Sequence, residues 1–174
     1  MIPQAIHDSY AEKAGPTLRE FMDGTRVAHQ TESGPNNLGH TTLIGHSYGS
    51  TVIGDAAKAG SFLDGPLAAD DVVVAGSPGM QAARSGDLGI DPHHMWAMQG
   101  TGDDDFVTGG GRLVGLGGDF TIPTDDSFGS TVMKTDGGGH GAYWDVAKNG
   151  NPSEALKNQA RVIVGDYEGV TVED

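Results

Sequence analysis

One stretch constrains this chain more than any other: Thr41-Thr42-Leu43-Ile44-Gly45-His46-Ser47-Tyr48-Gly49-Ser50. A short apolar run closes on Gly-His-Ser-Tyr-Gly, and residues 51–58 (TVIGDAAK) continue at once with a helical pattern. A serine between two glycines at a strand-to-helix junction occupies a turn tighter than ordinary backbone allows. Crowding by neighbouring chain is expected to demand glycine at both flanking positions. The serine oxygen then stands at the amino end of a helix, where partial positive charge favours a developing oxyanion. In a chain with 29 glycines the five-residue pattern alone carries little weight. The strand before it and the helix after it carry the rest, and Ser47 reads as a nucleophile.

The segments around this junction alternate between strand and helix patterns. Residues 6–29 form a helix candidate whose apolar positions Leu18, Phe21, Met22 and Thr25 recur at three-to-four spacing, with Pro16 expected to start or kink it. Asp71-Val72-Val73-Val74-Ala75-Gly76 is a continuous apolar run, the mark of a parallel strand buried on both faces. Residues 94–98 (HMWAM) and 130–134 (STVMK) are two further strand candidates, and residues 80–84 suggest a short helix. After the last strand, residues 142–147 read as a helical turn. Ser153 is a good N-cap for a terminal helix reaching about residue 165, and residues 170–174 are expected to fray. Strands separated by 20–30 residues with helices between them predict an α/β fold, a mainly parallel open sheet with flanking helices. All 174 residues read as one domain without internal repeats.

Composition narrows the partners. Ten basic residues face 24 acidic ones, a formal charge of −14, and no Lys/Arg cluster could neutralise a run of phosphates. Nucleic acid is therefore not an expected partner. No apolar run approaches the ~20 residues of a membrane span, and residues 1–4 carry no signal-peptide features. Cysteine is absent, which excludes disulfides, thiolate nucleophiles and thiolate metal sites but fixes no compartment.

In open parallel sheets, ligands bind beyond the carboxyl ends of the strands. The loop after the third strand candidate holds Asp103, Asp104 and Asp105, and the loop after the fourth holds Gly137-Gly138-Gly139-His140-Gly141. A serine hydroxyl needs a base to take its proton, and a carboxylate holds an imidazole in the required tautomer. Of seven histidines, His140 alone lies in a glycine-rich loop after a late strand, which makes it the expected base, with His93 and His94 as substitutes. His46, next to the nucleophile, should point away from Ser47 and reads as structural. Spacing does not choose among the three aspartates. A solvated acidic turn and a calcium site are the competing readings of that loop, the latter supported only by a single Gly117-Gly118-Asp119.

The order of these motifs resembles the α/β-hydrolases, and in particular an actinobacterial family of unassigned substrate with a GHSYGS elbow. The resemblance rests on residues 45–50, on residues 72–79 (VVVAGSPG), on residues 127–130 (SFGS) and on residues 139–144 (GHGAYW). Upstream, residues 16–24 are similar to the helix that precedes the elbow strand. The family's acid motif resembles Asp-Pro-Val/Ile, so Asp105-Phe106-Val107 is the best match and Asp104 the alternative. The resemblance implies a serine hydrolase of carboxylesterase or lipase type acting on small-molecule or lipid esters, with no cofactor and no metal. Ser47, Asp105 and His140 would form its triad, and the Tyr48 backbone N–H would bind the oxyanion.

One departure from the family sets up two further expectations. Family members carry earlier strands, one of which supplies a second oxyanion donor; residues 1–39 do not read as those strands. The fold is therefore expected to be shortened at its start, with an open sheet edge available for self-association. The Ser77 hydroxyl or the turn at residues 76–79 is the candidate substitute donor. The competing function is a catalytically inactive or incomplete hydrolase-like fold, acting as a fragment or a binding protein.

Overall fold

The computed structural model describes residues 8–34, 39–60, 65–100, 116–146 and 150–173. Four strands, β1 (Thr42–His46), β2 (Asp71–Ala75), β3 (Met95–Met98) and β4 (Thr131–Val132), form one parallel sheet in the order β1-β2-β3-β4. The helices are α1 (Ser9–Ser33), α2 (Tyr48–Ala59) and α3 (Glu154–Ile163). Every residue of β2 is buried. That is why its sequence is an unbroken apolar run: a central parallel strand meets helices on both faces.

Alternation along the strands sorts the core into two layers. Val72 and Val74 of β2 and Met95 and Ala97 of β3 pack with Ile53 and Ala56 of α2 and Met22 of α1. Val73, Ala75, Trp96 and Met98 point the other way, onto Ala155 and Val162 of α3, Met133 and Tyr143. β1 and β4 are the edges of this sheet, and among the described residues no helix is long and apolar enough to cross a membrane.

Helix α1 runs through Pro16 instead of starting there. Proline removes the bond to the Glu12 carbonyl, but both residues are exposed, so water can satisfy that oxygen. One residue earlier, Gly15 meets α2 so closely that a Cβ would stand 2.8 Å from the Asp55 carbonyl carbon. The inner face of α1 is Ala11, Gly15, Arg19 and Met22, while Phe21 is 68% exposed, contrary to the apolar stripe drawn through it. Arg19 supplies what an apolar residue would not: its Nη2 donates to the Gly65 and Pro66 carbonyls at 2.8 and 3.3 Å.

Two other expectations change. Residues 81–84 are bends, and the helical segment there is a 3-10 turn at Ser85–Leu88. The chain end docks instead of fraying. Val172 bridges Met133 antiparallel, Lys134 N–H donates to the Thr171 carbonyl at 2.9 Å, and Asn158 of α3 bonds Thr171. Paired backbone, invisible to composition, holds it. The N-cap is as expected, with the Ser153 hydroxyl accepting from Leu156 N–H.

At the amino ends of the strands, Asp71 is fully buried and meets four polar partners. Its Oδ1 bonds His94 Nδ1 at 3.0 Å and the Trp96 indole at 2.8 Å; its Oδ2 accepts from the Tyr167 hydroxyl at 2.7 Å and pairs with His40 Nε2 at 2.9 Å. Tyr167 also stacks on Trp96 at 5.6 Å. One carboxylate thus ties the approach to β1, the start of β3 and the chain after α3 to β2. Removing it in Asp71→Ala leaves those partners facing a void and should lower stability by about 3 kcal/mol, read from urea midpoints. Burial, the bond to Asp71 and the charges of Asp71 and Asp70 push the Tyr167 phenol up to about 12. A raised phenol contributes stability that is present below its unfolded value of about 10 and is lost as pH rises through about 12. Melting temperature should therefore fall across that alkaline window, and Tyr167→Phe should flatten the fall.

Candidate active site

Ser47 lies at the junction of β1 and α2 with φ +54° and ψ −130°, left-handed backbone that a non-glycine residue adopts only under constraint. The constraint begins in the sheet, where Ser47 N–H donates to the Ala75 carbonyl at 2.9 Å and extends the β1–β2 ladder past its last paired residue. It continues in α2. The Ser50 hydroxyl donates to the Ser47 carbonyl at 2.7 Å, and Ser50 N–H bonds the same oxygen at 3.0 Å. Gly45 is crowded, since a Cβ there would stand 2.6 Å from Ile53 Cδ1 and 3.1 Å from Ser50 backbone. Gly49 is not crowded among the described residues, none of which outside its own helix backbone and chain neighbours lies within 4 Å of the Cβ it lacks. Only one of the two flanking glycines is therefore crowded within the described residues.

The hydroxyl behind the elbow belongs to Ser77 in the turn after β2. Ser77 Oγ lies 2.6 Å from Ser50 Oγ and accepts from Gly79 N–H at 3.1 Å. Proton counting fixes the direction. Ser50 has spent its one hydrogen on the Ser47 carbonyl, so Ser77 donates to Ser50 and has no hydrogen left to offer a substrate. Ser77 thus braces the elbow, and its hydroxyl is not the substitute oxyanion donor. Ser50 and Ser77 are visible in the sequence as the last residue of GHSYGS and the serine of GSPG, but nothing in their spacing reveals that they meet.

The His140 imidazole is half-buried over Gly76, the residue that follows Ala75. A Cβ on Gly76 would stand 2.8 Å from His140 Cε1, 2.9 Å from its Nδ1 and 2.9 Å from the Tyr143 hydroxyl. Gly76, at φ +57°, is thus a floor kept open for the ring. The Tyr143 hydroxyl accepts from Gly100 N–H at 2.8 Å, and a Cβ on Gly100 would come 2.5 Å from the Gly138 carbonyl. Gly100 is the root of the loop that holds Asp103, Asp104 and Asp105, and it is pinned against the loop that holds His140. The three aspartates themselves lie outside the described residues.

The remaining predicted positions divide cleanly. Tyr48 is the first residue of α2, where helix geometry directs the backbone N–H out of the amino end. Its phenol accepts from Ala11 N–H at 3.1 Å, which ties α1 to the elbow, and burial raises its pKa. His93 and His94 sit in the 3-10 turn Pro92–His94 that leads into β3, so parallel register puts them at the opposite end of the sheet from Ser47. His94 is engaged there by Asp71. His46, expected to be structural, reaches the His140 carbonyl with its Nε2 at 2.8 Å. Residues 116–121 fold against the turn after β2, with Gln81 N–H on the Leu116 carbonyl and Gly118 N–H on the Ala82 carbonyl.

The sequence profile of the alpha/beta hydrolase family matches residues 1–113, about two-thirds of the chain. The chain belongs to that family. An uncharacterized protein of Mycobacterium tuberculosis is 34% identical over 106 residues, which cover 59% of this chain and 34% of the relative, and one of Mycobacterium bovis matches to the same extent. A second uncharacterized M. tuberculosis protein is 31% identical over 191 residues, covering 94% of this chain and 26% of its own length. This alpha/beta hydrolase chain thus spans about a quarter to a third of the curated relatives it matches. No solved structure matches it significantly.

Two glycines give opposite expectations. Gly76→Ala should drive a methyl into the His140 ring on strained backbone and lower stability by about 1–3 kcal/mol, read from urea midpoints. Gly49→Ala meets open space inside a helix and should raise the melting temperature, by roughly 0.5–1 kcal/mol of stability.

Proposed function

We propose that this alpha/beta hydrolase is a serine ester hydrolase of carboxylesterase or lipase type. Ser47 Oγ attacks the acyl carbon as its proton passes to the His140 imidazole, and the carbonyl electron pair moves onto oxygen. The Tyr48 backbone N–H binds that oxyanion. Collapse breaks the bond to the alkoxy oxygen, which leaves as the alcohol after His140 returns the proton. Water then attacks acyl-Ser47, again giving its proton to His140, and the second collapse releases the acid and restores the Ser47 hydroxyl. Asp105 orients His140, with Asp104 as the alternative.

One observation carries the reading: the left-handed Ser47 backbone is hydrogen-bonded to Ala75, and the next residue, Gly76, is the floor under the His140 ring. The contact between Gly100 and Gly138 supports drawing the acid from the adjoining loop. A hydrolase-like fold without turnover is the second reading, favoured by the commitment of the Ser77 hydrogen to Ser50. Loss of an oxyanion donor costs on the order of 10²–10³ in rate.

Turnover of p-nitrophenyl acetate and butyrate decides between them. Ser47→Ala and His140→Ala should each lower kcat/KM on the order of 10⁴-fold. Among Asp103→Asn, Asp104→Asn and Asp105→Asn, the last should fall furthest. Hydrolysis that survives Ser47→Ala would refute the assignment, and a folded chain with no turnover would favour the second reading.

A further inference from the structure

The acyl-transfer scheme gives His46 no task, yet its ring is fixed from several sides. Its Nε2 lies 2.8 Å from the His140 carbonyl oxygen. A carbonyl only accepts, so the hydrogen must be on Nε2 of His46. The ring centroid stands 4.8 Å from that of His140 at 34°, 4.9 Å from Trp144 at 82° and 5.9 Å from Tyr143 at 63°. Strand alternation explains the direction. His46 is the last residue of β1 and is paired with Ala75, so it faces the α3 side of the sheet, where Tyr143 is buried.

We propose that His46 is a positioning residue that sets the separation between Ser47 and His140. His46 is covalently joined to Ser47, and the oxygen it holds belongs to His140, so a single hydrogen bond spans the two loops. Such a tether adds to the close approach of Gly138 and Gly100 in placing the loop that carries His140. Gly137 and Gly138 have positive φ and no side chains of their own, so this stretch is held through its backbone. Trp144 and Tyr143 hold the His46 ring so that its N–H aims at one oxygen. A purely space-filling ring would pack equally well without that donor, and this difference is what an experiment can read.

The inference rests on reading Ser47 and His140 as nucleophile and base. Two substitutions separate donor from bulk: His46→Phe keeps the aromatic contacts and removes the N–H, while His46→Gln places an amide N–H near the position of Nε2. His46→Phe should lower kcat for p-nitrophenyl acetate between about 10-fold and 10²-fold with KM nearly unchanged. In the same variant, hydrogen exchange should accelerate in peptides covering residues 137–145. His46→Gln should recover most of both. Wild-type kcat and exchange in a folded His46→Phe, or equal loss in the two variants, would overturn the proposal. If His46→Phe does not fold, His46→Leu replaces it under the same criteria. If the wild-type chain turns over no ester, the nucleophile–base reading fails. Exchange then judges the tether alone: acceleration in the Phe but not the Gln variant upholds it, and no acceleration removes it.

Discussion

The constraint on which the structure depends is the left-handed backbone of Ser47. An L-residue held there costs on the order of 1–3 kcal/mol and persists only when its surroundings over-determine it. Here the surroundings are specific. The sheet holds the Ser47 N–H through Ala75, and Ser50 holds its carbonyl with both a hydroxyl and an N–H. Ser77 hydrogen-bonds Ser50 from behind, and the missing Cβ of Gly45 lets α2 fold back onto β1. Each element of the turn has a partner in the strand, the helix or the turn after β2.

The two ends of the parallel sheet perform different work. Beyond the carboxyl ends, glycines predominate: Gly76 under His140, and Gly100 against Gly138. Open floor and close backbone approach suit loops that must bring distant side chains together. Before the amino ends, a single buried carboxylate gathers two imidazoles, an indole and a phenol around Asp71. A satisfied carboxylate fixes strand order and the docking of the chain end, whereas an incompletely satisfied one would destabilise both. This division explains why five residues as different as Asp71, His94, Trp96, His40 and Tyr167 serve packing while a stretch of glycines serves the candidate chemistry.

Much of this was legible beforehand. The elbow, the central strand and the terminal helix with its Ser153 cap follow from local rules, because apolar runs, glycine spacing and capping are each encoded within a few residues. What escaped was long-range. Phe21 looked like part of an apolar stripe, but the inner face of α1 is set by where α2 crosses it, at Gly15. Residues 170–173 looked like a fraying end because their partners, Lys134, Val132 and Asn158, lie far off in sequence. Within the site, spacing offers Ser77 as an open donor, but its one hydrogen goes to Ser50. His46 was read as structural without its partner being named. Hydrogen-bond direction and pairing between loops do not show in spacing, so Ser47 and His140 can be named as candidates from the sequence while the contacts that hold them cannot.

The central claim is that Ser47 is an activated nucleophile and not merely a strained turn residue. Incubation with a fluorophosphonate probe, followed by peptide mapping of the adduct by mass spectrometry, tests it most directly. The account predicts one adduct per chain on Ser47, formed far more slowly in His140→Ala. A folded chain that takes up no label, or carries it on another residue, would contradict it.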